Sequence, residues 1–95
     1  MNEDLLFAYS LQDGDFVQWV MRSPPLLLDR VIKALVILAR LDGSSQFADL
    51  LACRDAAHTL YTIACEGGFD DVASVFLMQY DFFSRALLPF SDERA

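Results

Sequence analysis

Positive charge is scarce in this chain. Six arginines and one lysine stand against fourteen acids, for a net charge of −7 over 95 residues, and no two of the seven bases are adjacent. Nucleic-acid binding draws its affinity from lysines and arginines that displace counterions from phosphates, so no direct nucleic-acid role is expected. The same charge disfavours anionic membrane surfaces. Long apolar runs are missing as well. The longest, Ala34 to Ala39, falls far short of the ~20 residues a membrane-spanning helix needs. An acidic surface suits basic partners, nucleic-acid-binding proteins among them, although its plainest use is solubility.

Side chains with reactive chemistry are few. His58 is the one histidine, and Cys53 and Cys65 are the two cysteines. On one continuous helix the cysteines stand ~18 Å apart at 1.5 Å per residue, too far to pair. His58 and Cys65 are ~10.5 Å apart by the same rise, beyond the hydrogen bond that activates a thiol. No CxxC or HxxxH spacing offers a zinc site, and Glu66, Asp70 and Asp71 lack the spaced pattern of a calcium loop. The remaining acids are scattered, whereas general acid–base catalysis needs carboxylates held together in a cleft. The expectation is no metal, no cofactor and no enzyme. Met1 leads into Asn2, Glu3 and Asp4 rather than a basic region, so no secretory signal is expected. Two cysteines are too few for a disulfide framework, which fits a cytoplasmic protein with reduced thiols.

Apolar side chain is what the chain has in excess. It forms 55% of the residues, against roughly 45–50% in a typical soluble domain by a count that includes glycine. A domain of this length buries only ~60–65% of the surface its unfolded chain exposes. The surplus must lie exposed as a patch, or be covered by a second copy or another protein.

Breakers fall at Asp13-Gly14, Ser23-Pro24-Pro25, Asp42-Gly43-Ser44 and Gly67-Gly68, with Pro89 near the end. The intervals lack strand-like alternation and predict helices over 3–11, 15–22, 24–41, 45–66 and 70–88. The fold class is all-α: one domain over 1–90, built as a small bundle of three long antiparallel helices plus two short N-terminal helices, with a polar tail over 91–95. Ser23 and Pro24 supply a start signal for the 24–41 helix. That helix is apolar nearly all round apart from a stripe of Asp29, Lys33 and Arg40, and Asp29 precedes Lys33 at the spacing of a helical ion pair. So apolar a helix belongs at a bundle centre or in an oligomer seam. In the 45–66 helix, Phe47, Leu50, Cys53, Ala57, Leu60 and Ala64 line one face. The stretch CEGGFDD (65–71) reads as a helix stop, a glycine for the left-handed C-terminal position, and an acidic start for the next helix.

Residues 60–77, LYTIACEGGFDDVASVFL, resemble the helix-turn-helix core of an ankyrin repeat. Leu60, Tyr61, Ala64, Gly67, Val72 and Val75 stand where that family has its Leu-His, Ala, Gly, Val and Leu, and the segment aligns with 35–52 at a shift of 25. The family's Thr-Pro is absent, and ankyrin repeats recur at ~33 residues. A further repeat would also need a turn between Ala52 and Leu60, where there is neither glycine nor proline. The segment is therefore read as an ordinary helix–Gly–helix unit, with no internal repeat.

The 70–88 helix is the most informative. Phe69, Val72, Phe76, Tyr80, Phe83, Leu87 and Phe90 recur along one face, and Val75, Met78, Phe82 and Ala86 run beside them on a second. An intramolecular core needs only one. Adjacent Phe82 and Phe83 point ~100° apart, so one of them leans away from the core. Trp19 is a second candidate anchor, because tryptophan is enriched in interface hot spots. The candidate partner- or dimer-binding residues are Trp19, Val75, Met78, Gln79, Phe82, Phe83 and Ala86. The function expected is a small acidic regulator acting by protein–protein binding, such as an inhibitor or anti-activator that occludes a larger protein, for example a transcription factor. Its partner would offer a basic or apolar docking surface, and a homodimer through the 24–41 or 70–88 helix is expected. The alternatives are a small acidic chaperone or adaptor of the secretion type, shielding an amphipathic helix of a client, and a structural subunit of an assembly.

Overall fold

Two successive prolines follow the helix that ends at Arg22, and they set the start of the next. Pro24 occupies the cap position, where its carbonyl accepts the N–H of Leu27 at 2.9 Å and of Leu28 at 3.3 Å. Pro25 then opens the helix, its missing N–H being one that no helix satisfies internally. Ser23 does not cap this helix as expected. Its hydroxyl donates to the Trp19 carbonyl at 2.7 Å and closes the preceding helix. With prolines at both the cap and the first helical position, Ser23 stands one residue too early to reach the free N–H groups.

The computed structural model describes residues 14–41 and 43–92, and every element they form is an α-helix. These are α1 (Gly14–Arg22), α2 (Pro25–Leu41), α3 (Phe47–Glu66), α4 (Asp70–Ala86) and α5 (Leu88–Asp92). The helix expected over 3–11 lies outside the described residues. Three long helices are present, and the short helices described flank them on both sides in sequence.

Gly43, at φ 83°, turns the chain out of α2. Ser44 follows, donating its hydroxyl to Asp49 at 2.6 Å and accepting the Gln46 N–H at 3.2 Å. This tie holds 44–46 outside the helix, so α3 starts at Phe47. It then runs unbroken to Glu66, through the stretch where an ankyrin-type repeat would need a turn. At its end the Gly68 N–H bonds the Cys65 carbonyl at 3.1 Å and the Phe69 N–H bonds the Ala64 carbonyl at 2.9 Å. With Gly68 at φ 79°, this is a Schellman stop, the left-handed residue being the one glycine tolerates without penalty. Asp70 and Asp71 follow in the first turn of α4, where negative charge suits the helix dipole.

α3 and α4 form an antiparallel hairpin. Phe47 at the start of α3 meets Phe90 beyond α4 at 5.2 Å between ring centroids, and His58 meets Tyr80 near the middle at 5.4 Å. The core lies on α3, which buries Leu50, Cys53, Ala56, Ala57, Leu60, Ile63 and Ala64. Four of these seven are alanine or cysteine, small enough to admit a helix closely on either side. α2 and α4 pack on the two sides of α3, and make at most slight contact with each other. The central helix is thus α3 rather than the more apolar α2, which buries Val31, Ala34, Leu35 and Leu38 but leaves Leu26 exposed. Arrangement around one middle helix covers α2 and α4 on one side each, and that is why apolar surface remains outside.

α1 closes the turn end of the hairpin through buried Phe16, Val17 and Val20. At the other end α4 stops at Ala86, short of the expected Leu88. Leu87 closes it by donating to Phe83 and Ser84, at 3.1 and 3.3 Å. Pro89 cannot continue the ladder, having no N–H and a ring that clashes with the carbonyl four residues back. It does not end helical structure, since α5 runs from Leu88 to Asp92, into the segment expected to be tail. The expected Asp29–Lys33 pair forms at 2.9 Å on the exposed side of α2.

Candidate protein-docking surface

α4 divides its residues by helical period. Val72, Ala73, Phe76 and Phe83 face α3 and are buried. Val75, Met78 and Phe82, spaced three and four apart, are 45%, 73% and 65% exposed. They form a continuous apolar stripe on the solvent side. Half-buried Gln79 and Ala86 border it. Phe82 and Phe83 part company as their angular offset requires: Phe83 is 9% exposed and Phe82 stands outside, its ring set edge-on against Phe83 at 5.3 Å. Among the described residues Met21, Leu26, Leu77 and Leu88 are also exposed, but singly placed apolar side chains are ordinary on protein surfaces.

At its C-terminal end the stripe meets a cleft of about 370 Å³. Gly43, Ser44 and Ser45 from the α2–α3 loop form one part of the lining, and Phe82, Phe83 and Ala86 another, completed by Leu50 and Phe90. The serines bring polar groups to an otherwise apolar lining. Sequence reasoning did not find this loop as part of a site. Nothing local in Gly43-Ser44-Ser45 marks it, because the cleft exists only where α4 returns past the α2–α3 connection.

Trp19 belongs to a different place. Its ring packs 5.4 Å from Phe69 and 6.1 Å from Phe16, while Phe16 meets Phe69 edge-on at 5.4 Å. This trio fastens α1 to the α3–α4 turn. A Cβ at Gly67 would lie 2.8 Å from the Phe69 ring and 3.0 Å from the Trp19 ring. Gly67 is therefore small for the sake of these rings, whereas Gly68 is glycine for its backbone angle. Trp19 and Phe82 sit near opposite ends of α4, ~20 Å apart along a helix. The structure brings Val75, Met78, Gln79, Phe82 and Ala86 onto one side of α4, puts Phe83 beneath it, and places Trp19 elsewhere.

Charge is distributed unevenly along the stripe. Asp71 is exposed at its N-terminal end, and Asp70 is exposed on the same turn but off the stripe. Towards the C-terminal end Arg85 pairs with Asp81 at 3.0 Å, both largely exposed. Away from the stripe, Cys53 is buried in the core and Cys65 is exposed. Tyr61, one turn before Cys65, holds its proton above the ordinary tyrosine value, first through the hydrogen bond to Cys65, then through the charge of that sulfur, then through burial. His58 packs against Tyr80 and, at 6.3 Å, Tyr61. Among the described residues no three metal-ligating side chains come together, and no helix is long and apolar enough to cross a membrane.

Comparison with protein-family models, with curated proteins and with solved structures finds no match to this chain.

Proposed function

We propose that this protein is a small acidic regulator that works by binding, occluding a larger protein through the solvent face of α4. The observation that carries this reading is the exposed stripe of Val75, Met78 and Phe82 running into the cleft beside Phe82. Three large apolar side chains at helical spacing match what one face of an amphipathic helix presents and accepts. The cleft offers an anchor site for one protruding side chain, and anchors in pockets carry most of the energy of such contacts. Acids at the flank would steer a partner helix that carries basic residues beside its apolar face. Binding there covers the partner's own helix face, which is the mechanism of an inhibitor or anti-activator.

The test is affinity capture with the whole chain, compared with Phe82→Ala, Met78→Ala and, as a control on α2, Leu26→Ala. The partner should be lost by the two α4 variants and retained by the control. The purified partner is then assayed with and without this protein. Reduced activity supports the regulator, raised solubility of the partner identifies a chaperone instead, and insolubility of this chain on its own identifies a structural subunit. Capture that is indifferent to both α4 variants refutes the docking face.

A further inference from the structure

We propose that the α4 stripe pairs with the same stripe of a second copy of this chain, the two helices lying antiparallel about a two-fold axis near Met78. The inference rests on the reading of α4 as a docking face and names one occupant for it. What points to a second copy is the charge at the two ends. Asp71 and Arg85 bracket Val75, Met78 and Phe82, and both are exposed. They are fourteen positions apart, close to four helical turns, so they share the stripe's side of the helix ~21 Å apart. An antiparallel copy brings the acid of each chain to the base of the other. A parallel copy would set like charge on like.

Met78 is midway in sequence between Asp71 and Arg85. An axis there lays Met78 on its own copy and Phe82 over Ser74 and Val75 of the facing chain. Ser74 is small, and its hydroxyl already donates to the Asp70 carbonyl at 2.9 Å, so it leaves room for a ring without losing a partner. Arg85 can keep its bridge to Asp81 while meeting a second carboxylate, because a guanidinium carries five donors. The contact is isologous, the form in which closed dimers occur. A single helix pair lies at the low end of specific interfaces, and the −7 charge on each chain opposes association. The dimer should therefore be weak. In that dimer the stripe is covered, so self-pairing and docking to another protein compete for one surface.

The experiment is a charge exchange read by sedimentation equilibrium of the full chain, over concentrations from micromolar to near millimolar. Asp71→Arg and Arg85→Glu should each weaken self-association about tenfold, whereas an equimolar mixture of the two should regain most of it. In the mixture one chain carries bases at both ends of the stripe and the other acids. Asp70→Arg changes the same helix terminus off the stripe and should leave the dimer intact. Phe82→Ala should abolish it, and circular dichroism should show unchanged helicity in all four variants. A monomer at every concentration overturns the proposal, as does a dimer indifferent to Phe82→Ala. A mixture no tighter than its single variants overturns the antiparallel register. A monomeric chain whose captured partner is still lost with Phe82→Ala overturns self-pairing alone and leaves the docking function standing.

Discussion

Phe82 and Phe83 are chemically identical neighbours, and truncating each to alanine should have very different costs. Phe83 is only 9% exposed and packs in the core. Removing a buried phenylalanine ring costs ~3–5 kcal/mol in lost transfer energy and residual cavity. Phe82 is 65% exposed, so about a third of its side chain is shielded. Full burial of such a side chain stabilises by ~1.5–3 kcal/mol, and a third of that is ~0.5–1 kcal/mol. Its edge-on contact with Phe83 contributes a further ~0.5–1.5 kcal/mol. Phe82→Ala should then cost ~1–2.5 kcal/mol, and the two variants should differ by ~2 kcal/mol. Urea unfolding followed by circular dichroism, at dilutions where the chain is monomeric, reads both, with the slope against urea unchanged. Since domains of this kind have ~5–15 kcal/mol in all, Phe83→Leu serves if Phe83→Ala does not fold. At higher concentration the wild type should gain stability through self-association and Phe82→Ala should not. Equal losses at the two positions would refute the division of α4 into a core face and a surface face.

The glycines of the α3–α4 turn should fail for different reasons. Gly67→Ala forces the Phe69 and Trp19 rings aside, costing ~1–3 kcal/mol, less ~0.4–1 kcal/mol from a stiffer unfolded chain. Gly68→Ala has open space but must hold φ 79°, at ~1–2 kcal/mol. Gly68→Asn should be milder than Gly68→Ala, and Trp19→Ala should relieve Gly67→Ala without relieving Gly68→Ala; thermal melts of the single and double variants check this. Tyr61 should ionise above its ordinary value of 10.0, and Cys65→Ala should lower its midpoint in an absorbance titration, read as a difference from wild type. The folded phenol holds its proton more tightly than the unfolded one. This contribution is therefore intact below pH 10 and lost as pH rises through the folded-state value.

Much of the fold is written in local signals. The Gly67-Gly68 stop, the acidic start at Asp70-Asp71 and the unbroken Ala52–Leu60 stretch depend on backbone angles, dipole and helix propensity, which neighbouring residues settle among themselves. Other features depended on competition between neighbours. Ser23 carries the signature of a cap, yet two prolines after it move the helix start beyond its reach. Ser44 binds Asp49 and delays α3. The choice of central helix was not legible either. By apolar content α2 has the stronger claim, but centrality follows from approach on two sides, and small Cys53, Ala56, Ala57 and Ala64 allow that on α3. Trp19 shows the limit for single residues: its type suggests an exposed anchor, and its neighbours Phe16 and Phe69 make it a clasp.

By itself the sequence determined that the protein is helical, acidic, poor in reactive side chains and richer in apolar surface than its own core can hold. Those properties are counts and periods, and no folding is needed to read them. It also showed that the 70–88 segment has two apolar faces, since helical spacing is a local geometry. Which face is buried, and that the other runs into a cleft beside Ser44 and Ser45, was decided only when α4 turned back along α3. Burial is a relation between segments distant in sequence, and packing energy, not periodicity, assigns it.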